Sequence, residues 1–154
     1  MENFKVFVAD SSNESVGKWL ELPCNNIEEE LADIGIEEYV ITDCENGWGY
    51  VEEIDDLEAL NELAKKLENV DECGNANWLI AYMEATGEGI ESAIERYEYS
   101  TFYPEMDLED VAREIVEDCY DLPENLERYF DYEAFARDLS FDNYSETEYG
   151  VIAY

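Results

Sequence analysis

The fold is indicated first by the acidic segment at residues 107–119, whose sequence is DLEDVAREIVEDC. Its apolar residues recur at the three- and four-residue spacing of a helix. They would form one buried stripe of Leu108, Val111, Ala112, Ile115 and Cys119. Most of the other positions are Asp or Glu, and Arg113 is the one base among them, so pairing between residues four apart cannot neutralise them. The segment predicts an amphipathic helix whose outer face is a row of carboxylates.

This row of carboxylates works against the stability of the helix. Neighbouring side chains on one face lie roughly 5 to 6 Å apart, and like charges at that spacing repel. A helix that needed only solubility would mix positive and negative charges. A solvated acidic face without a partner is the usual alternative, and adaptation to salt is another, but salt adaptation spreads acidic residues thinly. We therefore infer that the acidic surface is the functional part.

The whole chain shares this acidity. Its 154 residues include 42 Asp and Glu against 8 Lys and Arg, with no His and a formal net charge of −34. Its content of Leu, Ile, Val and Phe is nevertheless high enough for a folded core. The charge excludes a conventional nucleic-acid-binding protein, which needs a basic surface, and anionic membranes would repel it. A basic cleft would attract it, with fast and salt-sensitive association.

The chain also lacks the motifs of most functional sites. Cys24, Cys44, Cys73 and Cys119 are scattered, without a C-x-x-C pair, which predicts reduced thiols in the core of a cytoplasmic protein. No phosphate loop, dinucleotide fingerprint, nucleophile elbow or calcium loop occurs. We expect no catalytic residue, no metal and no cofactor, and neither a signal peptide nor a membrane span.

The first fifty residues predict a small antiparallel sheet with one helix. Two strands at 4–9 and 16–22 would form a hairpin, and a helix capped by Asn26 would follow at 27–34. A third strand is predicted at 39–43, and the turn at Asn46 and Gly47 would lead back toward Trp48, Tyr50 and Val51. These residues make up a predicted N-terminal α/β module, 1–53.

Helices dominate the rest of the chain. We predict a central helical module at 54–103, with a linker at 100–104, and a C-terminal acidic module at 104–154. The latter would contain the acidic helix capped by Asp107, short helices at 124–130 and 132–139, and an apolar strand at 150–154. The predicted fold class is α+β, with three small modules in an elongated chain.

The C-terminal half is rich in aromatic residues, and core packing is the simplest explanation for Phe130, Phe135 and Phe141. Tyr is amphipathic and common at interfaces. The apolar strand at 150–154 also needs a covering surface, either the chain's own helices or a second subunit. Part of this aromatic set can therefore form a homodimer contact, and core packing stays open as the alternative. The candidate contact residues are Tyr129, Tyr132, Tyr149, Val151, Ile152 and Tyr154.

The amount of charge suggests what the acidic surface imitates. Duplex DNA carries two phosphate charges per base pair, so a charge of −34 equals that of about 17 base pairs. A protein with this charge on rigid helices could occupy the DNA-binding cleft of a DNA-processing enzyme. We predict that helical carboxylates stand in for the phosphates. These candidates are Asp33, Glu37, Asp55, Asp56, Glu58, Glu62, Glu109, Asp110, Glu114, Glu117, Asp118, Asp121, Glu124 and Glu127.

Three stretches of the sequence resemble the ArdA antirestriction proteins, which are DNA mimics of mobile elements and phages. They are FKVFVA at 4–9 with GKWLELP at 17–23, EYVITD at 38–43, and YFDYEAFARDL at 129–139. The last is the most specific, with its Asp-Tyr-x-Ala-x-x-Arg-Asp-Leu pattern. The resemblance implies a curved homodimer that imitates bent DNA in the cytoplasm of a bacterial host. It would block type I restriction-modification enzymes at the DNA site of their specificity and methyltransferase subunits.

Other functions stay open at this point. The nearest alternative keeps the mimicry and changes the target to a CRISPR effector or another DNA-reading defence complex. An alternative of another class is a carboxylate-dependent hydrolase or a divalent-metal protein, because close pairs of carboxylates are almost unavoidable at this density. An acidic chaperone for basic proteins is a third.

Overall fold

The computed structural model describes residues 4–48 and 55–154, and its mixture of helices and small antiparallel sheets confirms the predicted α+β class. The strands are β1 (Phe4–Asp10), β2 (Asn13–Leu22), β3 (Tyr39–Glu45), β4 (Thr101–Pro104), β5 (Tyr144–Thr147) and β6 (Gly150–Ala153). The helices are α1 (Ile27–Asp33), α2 (Leu57–Glu72), α3 (Ala76–Thr86), α4 (Ile90–Arg96), α5 (Leu108–Cys119), α6 (Glu124–Glu127) and α7 (Tyr132–Leu139). A single 3-10 turn, Tyr97–Tyr99, precedes β4.

The chain divides into two compact units. The first unit comprises residues 1–76 and 89–94, and the second comprises 77–88 and 95–154. The predicted modules at 1–53, 54–103 and 104–154 do not follow this division, because residues of the predicted central module are shared between both units. The predicted return of the chain through Tyr50 and Val51 lies outside the described residues.

The first unit is built on a three-stranded sheet with the order β2-β1-β3, antiparallel throughout. Phe4, Val6 and Val8 alternate along β1 and are buried, because successive residues of a strand point to opposite faces. α2 contacts β2 and buries a stripe at helical spacing. The buried residues of α2 are Leu57, Leu60, Asn61, Leu63, Ala64, Leu67 and Val70.

A buried amide connects the sheet of this unit to α2. Asn61 is almost fully buried, and its side chain accepts a hydrogen bond from the backbone N–H of Cys24 at 2.8 Å and donates one to the Cys24 carbonyl at 3.0 Å. The chain leaving β2 is therefore held against α2 by two hydrogen bonds from one side chain.

The second unit contains the other sheet, with the order β4-β6-β5. The central strand β6 is antiparallel to both neighbours, and its residues Val151 and Ile152 are fully buried. α5 packs against α7, and Val111, Ala112, Ala136, Leu139 and Val151 form one apolar cluster. The chain's own helices therefore cover the apolar strand that was predicted to need a cover.

The predicted linker at 100–104 is wrong, because Thr101–Pro104 forms β4. Phe102 and Tyr103 pair with Ile152 and Val151 of β6, and this long-range pairing overrides the local turn signals. A hydrogen bond from α3 also holds the residue just before β4, since Trp78 Nε1 donates to Ser100 Oγ at 2.9 Å.

Several predictions of burial are also wrong. Cys119 is exposed because it lies at the last position of α5, and the stripe uses Val116 in its place. The other cysteines are not core thiols either: Cys24 is half-buried, and Cys44 and Cys73 are exposed. Phe141 is 79% exposed, because it lies in the turn that follows α7.

Phe130 and Phe135 come closer to the predicted core packing, since both are half-buried. Their rings are edge to face, with the ring centroids 5.9 Å apart. Phe135 packs on the apolar cluster of the second unit. The short helix predicted at 124–130 ends earlier, at Glu127, and Pro123 is its N-cap residue.

Candidate functional site

α5 presents the densest group of predicted carboxylates. It begins at a cap, where Asp107 Oδ1 accepts a hydrogen bond from the backbone N–H of Asp110 at 2.8 Å. Acidic residues in the first turn suit the positive end of the helix dipole. Glu117 and Asp118 lie near the other end, where no base occurs in the last turn and the dipole disfavours negative charge. Helix stability therefore does not explain these two residues.

The one base of α5 is used within the second unit. Arg113 donates a hydrogen bond to Glu109 at 2.6 Å, and its guanidinium carbon lies 4.2 Å from the centroid of the Tyr132 ring. The hydrogen bond to Glu109 raises the pKa of Arg113, so the side chain stays charged. In the part of the chain that the structure describes, no ion pair involves Glu117 or Asp118.

Most of the predicted phosphate mimics lie at the surface. Twelve of them are exposed, and Glu109 and Glu114 are half-buried. One carboxylate oxygen of Glu114, Oε2, is buried without a hydrogen-bond partner among the described residues. The exposed members are Asp33, Glu37, Asp55, Asp56, Glu58, Glu62, Asp110, Glu117, Asp118, Asp121, Glu124 and Glu127.

Four of these carboxylates are not helical, in contrast to the prediction. Glu37 lies in the bend before β3, Asp55 precedes α2, and Asp121 follows α5. Asp56 is the N-cap of α2, and its carboxylate accepts hydrogen bonds from the backbone N–H groups of Glu58 and Ala59. Short polar side chains compete for exposed backbone groups in this way, which makes them common at helix ends.

The predicted carboxylates fall into one group in each unit. Residues from Asp33 to Glu62 belong to the first unit, and those from Glu109 to Glu127 belong to the second. In the first unit, Glu58 and Glu62 share one face of α2 and line a cavity of about 310 Å³. Glu28 of α1 lines the same cavity and was missed by the prediction, although the run of three acidic residues in the first turn of α1 could have indicated it.

Bases compensate part of this charge. In the first unit, Lys5 pairs with Glu21 at 3.6 Å, Lys18 pairs with Glu30, and Lys65 pairs with Glu62 at 2.6 Å. In the second unit, Arg96 pairs with Glu88 at 3.0 Å, in addition to the pair on α5. With 42 acidic residues against 8 bases, the surface stays strongly negative.

The candidate dimer contacts differ in their availability. Tyr132, Val151 and Ile152 are buried within the second unit, so they offer little surface to another subunit. Tyr149 is half-buried, whereas Tyr129 is 71% exposed and Tyr154 is 47% exposed. Tyr154 also lines a concave region of about 370 Å³, together with Tyr82, Arg96, Tyr99 and Ser100.

Across residues 4–48 and 55–154, no group of three or more His, Cys, Asp or Glu residues is arranged to hold a metal ion. Among the helices described, none combines the length and the apolar character that crossing a membrane requires.

Comparison with known protein families matches residues 11–153 to the family described as "Antirestriction protein (ArdA)". No match is found among curated proteins. The matched segment begins in the turn after β1 and includes all fourteen predicted carboxylates. The chain therefore belongs to the ArdA family of antirestriction proteins.

Proposed function

We propose that this protein is a non-enzymatic DNA mimic that inhibits type I restriction-modification enzymes by occupying their DNA-binding cleft. Membership of the family gives the antirestriction function. The observation that carries the mechanism is the outer face of α5, where Glu117 and Asp118 are exposed, have no ion pair among the described residues and lie against the helix dipole.

The carboxylates act as substitutes for phosphates. A basic cleft attracts them by Coulomb forces, and the counterions that both surfaces hold are released on association. Each exposed carboxylate contributes only about 0 to 1 kcal/mol to such contacts. Inhibition therefore depends on many carboxylates together, and no single one is essential.

A homodimer extends the acidic surface. Two chains carry the formal charge of about 34 base pairs of duplex. The surface left for a contact between subunits includes Tyr149 and Tyr154, whose rings remain at least partly exposed. The edges at which a second subunit can add a strand to this sheet are β4 and β5, because both edges of β6 are already paired.

Displacement of DNA is the direct test of the proposed function. A fluorescent duplex carrying the recognition site is bound to a purified type I enzyme, and the protein is added at low and at moderate salt. We expect the duplex to be released, with an apparent affinity that falls steeply as salt increases. No release at low salt would contradict the mechanism. A CRISPR effector and a basic histone-like protein serve as parallel targets, since release from either with the type I enzyme unaffected would identify another partner.

A further inference from the structure

α6 exposes apolar side chains that the fold does not use. None of its four residues is buried. Leu126 is 48% exposed and Tyr129 is 71% exposed. The backbone N–H of Tyr129 donates a hydrogen bond to the Leu126 carbonyl at 3.0 Å, so the turn continues past the helix and places the two side chains on the same side. Burial within the chain therefore explains neither residue.

A base that lies between these two residues in the chain stacks on the tyrosine. The guanidinium carbon of Arg128 lies 4.9 Å from the centroid of the Tyr129 ring. Within the described residues Arg128 makes no ion pair, unlike Arg96 and Arg113. Tyr and Arg are the residue types that most often dominate binding energy at protein interfaces, and stacking holds both side chains in place before a partner arrives.

The charges around this surface indicate the chemistry of its partner. Glu124, Glu127 and Asp131 are exposed beside Leu126 and Tyr129 in the chain. A symmetric contact between two copies places the same surface against itself, which would bring these carboxylates together. A basic protein would instead be attracted by the carboxylates and could cover the apolar centre.

α6 lies close to the acidic face of α5 in the chain. Only residues 120–123 separate the two helices. Even a fully extended chain covers at most roughly 18 Å between Cys119 and Glu124. The beginning of α6 therefore lies within roughly 18 Å of the end of α5, close enough for one large protein to contact both.

We infer that Leu126, Arg128 and Tyr129, named here the α6 corner, form a protein contact to the same restriction-modification enzyme that takes the carboxylates of α5. This inference rests on the proposed function. The α6 corner contacts apolar surface beside the basic cleft of the enzyme, and double-helical DNA offers no counterpart to it. Because salt does not screen an apolar contact, Leu126 and Tyr129 add an affinity that is independent of salt.

The test separates this contact from the electrostatic one. The dissociation constant for a purified type I enzyme is measured by displacement of a fluorescent duplex over a series of salt concentrations, for the wild-type protein and for the double variant Leu126→Ser/Tyr129→Ser. We expect at least tenfold weaker binding by the variant, with an unchanged slope of log Kd against log salt. Phe141→Ser, a change at another exposed aromatic residue of the second unit, is the matched control and should bind like the wild type.

Each other outcome would overturn the inference. Binding within twofold of the wild type would show that the α6 corner makes no contact, and a changed slope would assign it to the electrostatic surface. Sedimentation of the free proteins tests whether the α6 corner is instead a contact between two copies of the chain. If the wild type is a dimer and the double variant is a monomer, the surface belongs to self-association. Circular dichroism and the melting temperature should match the wild type, and Tyr129→Phe, which keeps the ring, should retain affinity. If the wild-type protein itself fails to displace DNA, the proposed function fails and the inference with it.

Discussion

The two units differ in the bases that they contain. The first unit has every lysine of the chain, and the second unit has every arginine. Two lysines of the first unit join neighbouring elements, since Lys5 pairs β1 with β2 and Lys18 pairs β2 with α1. Two arginines of the second unit lie on tyrosine rings, Arg113 on Tyr132 and Arg128 on Tyr129.

This difference follows from the chemistry of the two side chains. The ammonium group of lysine is a compact charge that needs a carboxylate or water, whereas the planar guanidinium group of arginine stacks on aromatic faces. Arg113 pairs with Glu109 while it stacks on Tyr132, and Arg128 makes no ion pair among the described residues. Glu117 and Asp118 on α5 have no base paired with them in the described part of the chain, whereas Glu62 on α2 is paired with Lys65. Under the proposed function, the second unit should therefore be the stronger mimic of DNA.

The largest expected effect comes from neutralising four exposed carboxylates of the second unit, three on α5 and one just after it. The combined variant Asp110→Asn/Glu117→Gln/Asp118→Asn/Asp121→Asn should weaken binding to a type I enzyme at least about a hundredfold, roughly 3 kcal/mol, and reduce the salt slope. Duplex displacement measures both quantities.

The matched control neutralises four carboxylates of the first unit, at Asp33, Glu37, Asp55 and Glu58. This variant should lose less affinity than the variant of the second unit. Equal losses would mean that the two units contribute alike and that the difference in their bases has no functional consequence.

The next largest effect is a loss of stability when the buried amide of the first unit is removed. Asn61→Leu removes the two hydrogen bonds to Cys24 and leaves its backbone groups partly buried without partners, which should lower the free energy of unfolding by about 2 kcal/mol. Urea unfolding measures the loss. Asn69→Leu, at an exposed position of the same helix, is the control and should be nearly neutral. If Asn61→Leu cost no more than Lys5→Ala, the lysine pairs would be as important as the buried amide.

A smaller effect should separate stacking from charge in the second unit. Arg113→Lys keeps the positive charge but loses the planar contact with Tyr132, so we expect a loss of about 1 kcal/mol or less in the free energy of unfolding. Arg137→Lys, in the last turn of α7, is the control and should change little. Equal stability of the two variants would show that the ring contact of Arg113 contributes nothing.

The smallest expected effect is the change in melting temperature when salt screens the repulsion between exposed carboxylates. Added salt screens the exposed carboxylates of both units, so the melting temperature of the wild-type protein should rise by a few degrees between low and moderate salt. The quadruple variant of the second unit should show a smaller rise, because part of the repulsion is already removed. A melting temperature that does not respond to salt would contradict an uncompensated surface.

The sequence allowed the local features of this fold to be predicted. The cap at Asp107 and the stripe through Val111 and Ala112 depend on residues a few positions apart, so periodicity was sufficient to find them. The exposure of the acidic residues followed from their polarity. The strand β4 could not be found in this way, because its partner Val151 lies far along the chain from Tyr103.

The same limit applies to contacts between residues that are far apart in the chain. Asn61 was missed because its partner Cys24 lies 37 residues away, and nothing near Asn61 indicates the contact. The sequence also gave no sign that α6 would bury none of its residues, since that depends on how the helices around it pack. The stacking of Arg113 on Tyr132 likewise requires α5 and α7 to be in contact.

The central position of β6 limits how this protein can aggregate. Only β4 and β5 present open edges in the second sheet, and each is four residues long. Pro104 ends β4 and has no N–H with which to extend a ladder. Edges this short are poor templates for cross-β growth, so the second sheet should resist edge-to-edge association even at salt levels that remove the mutual repulsion of the chains.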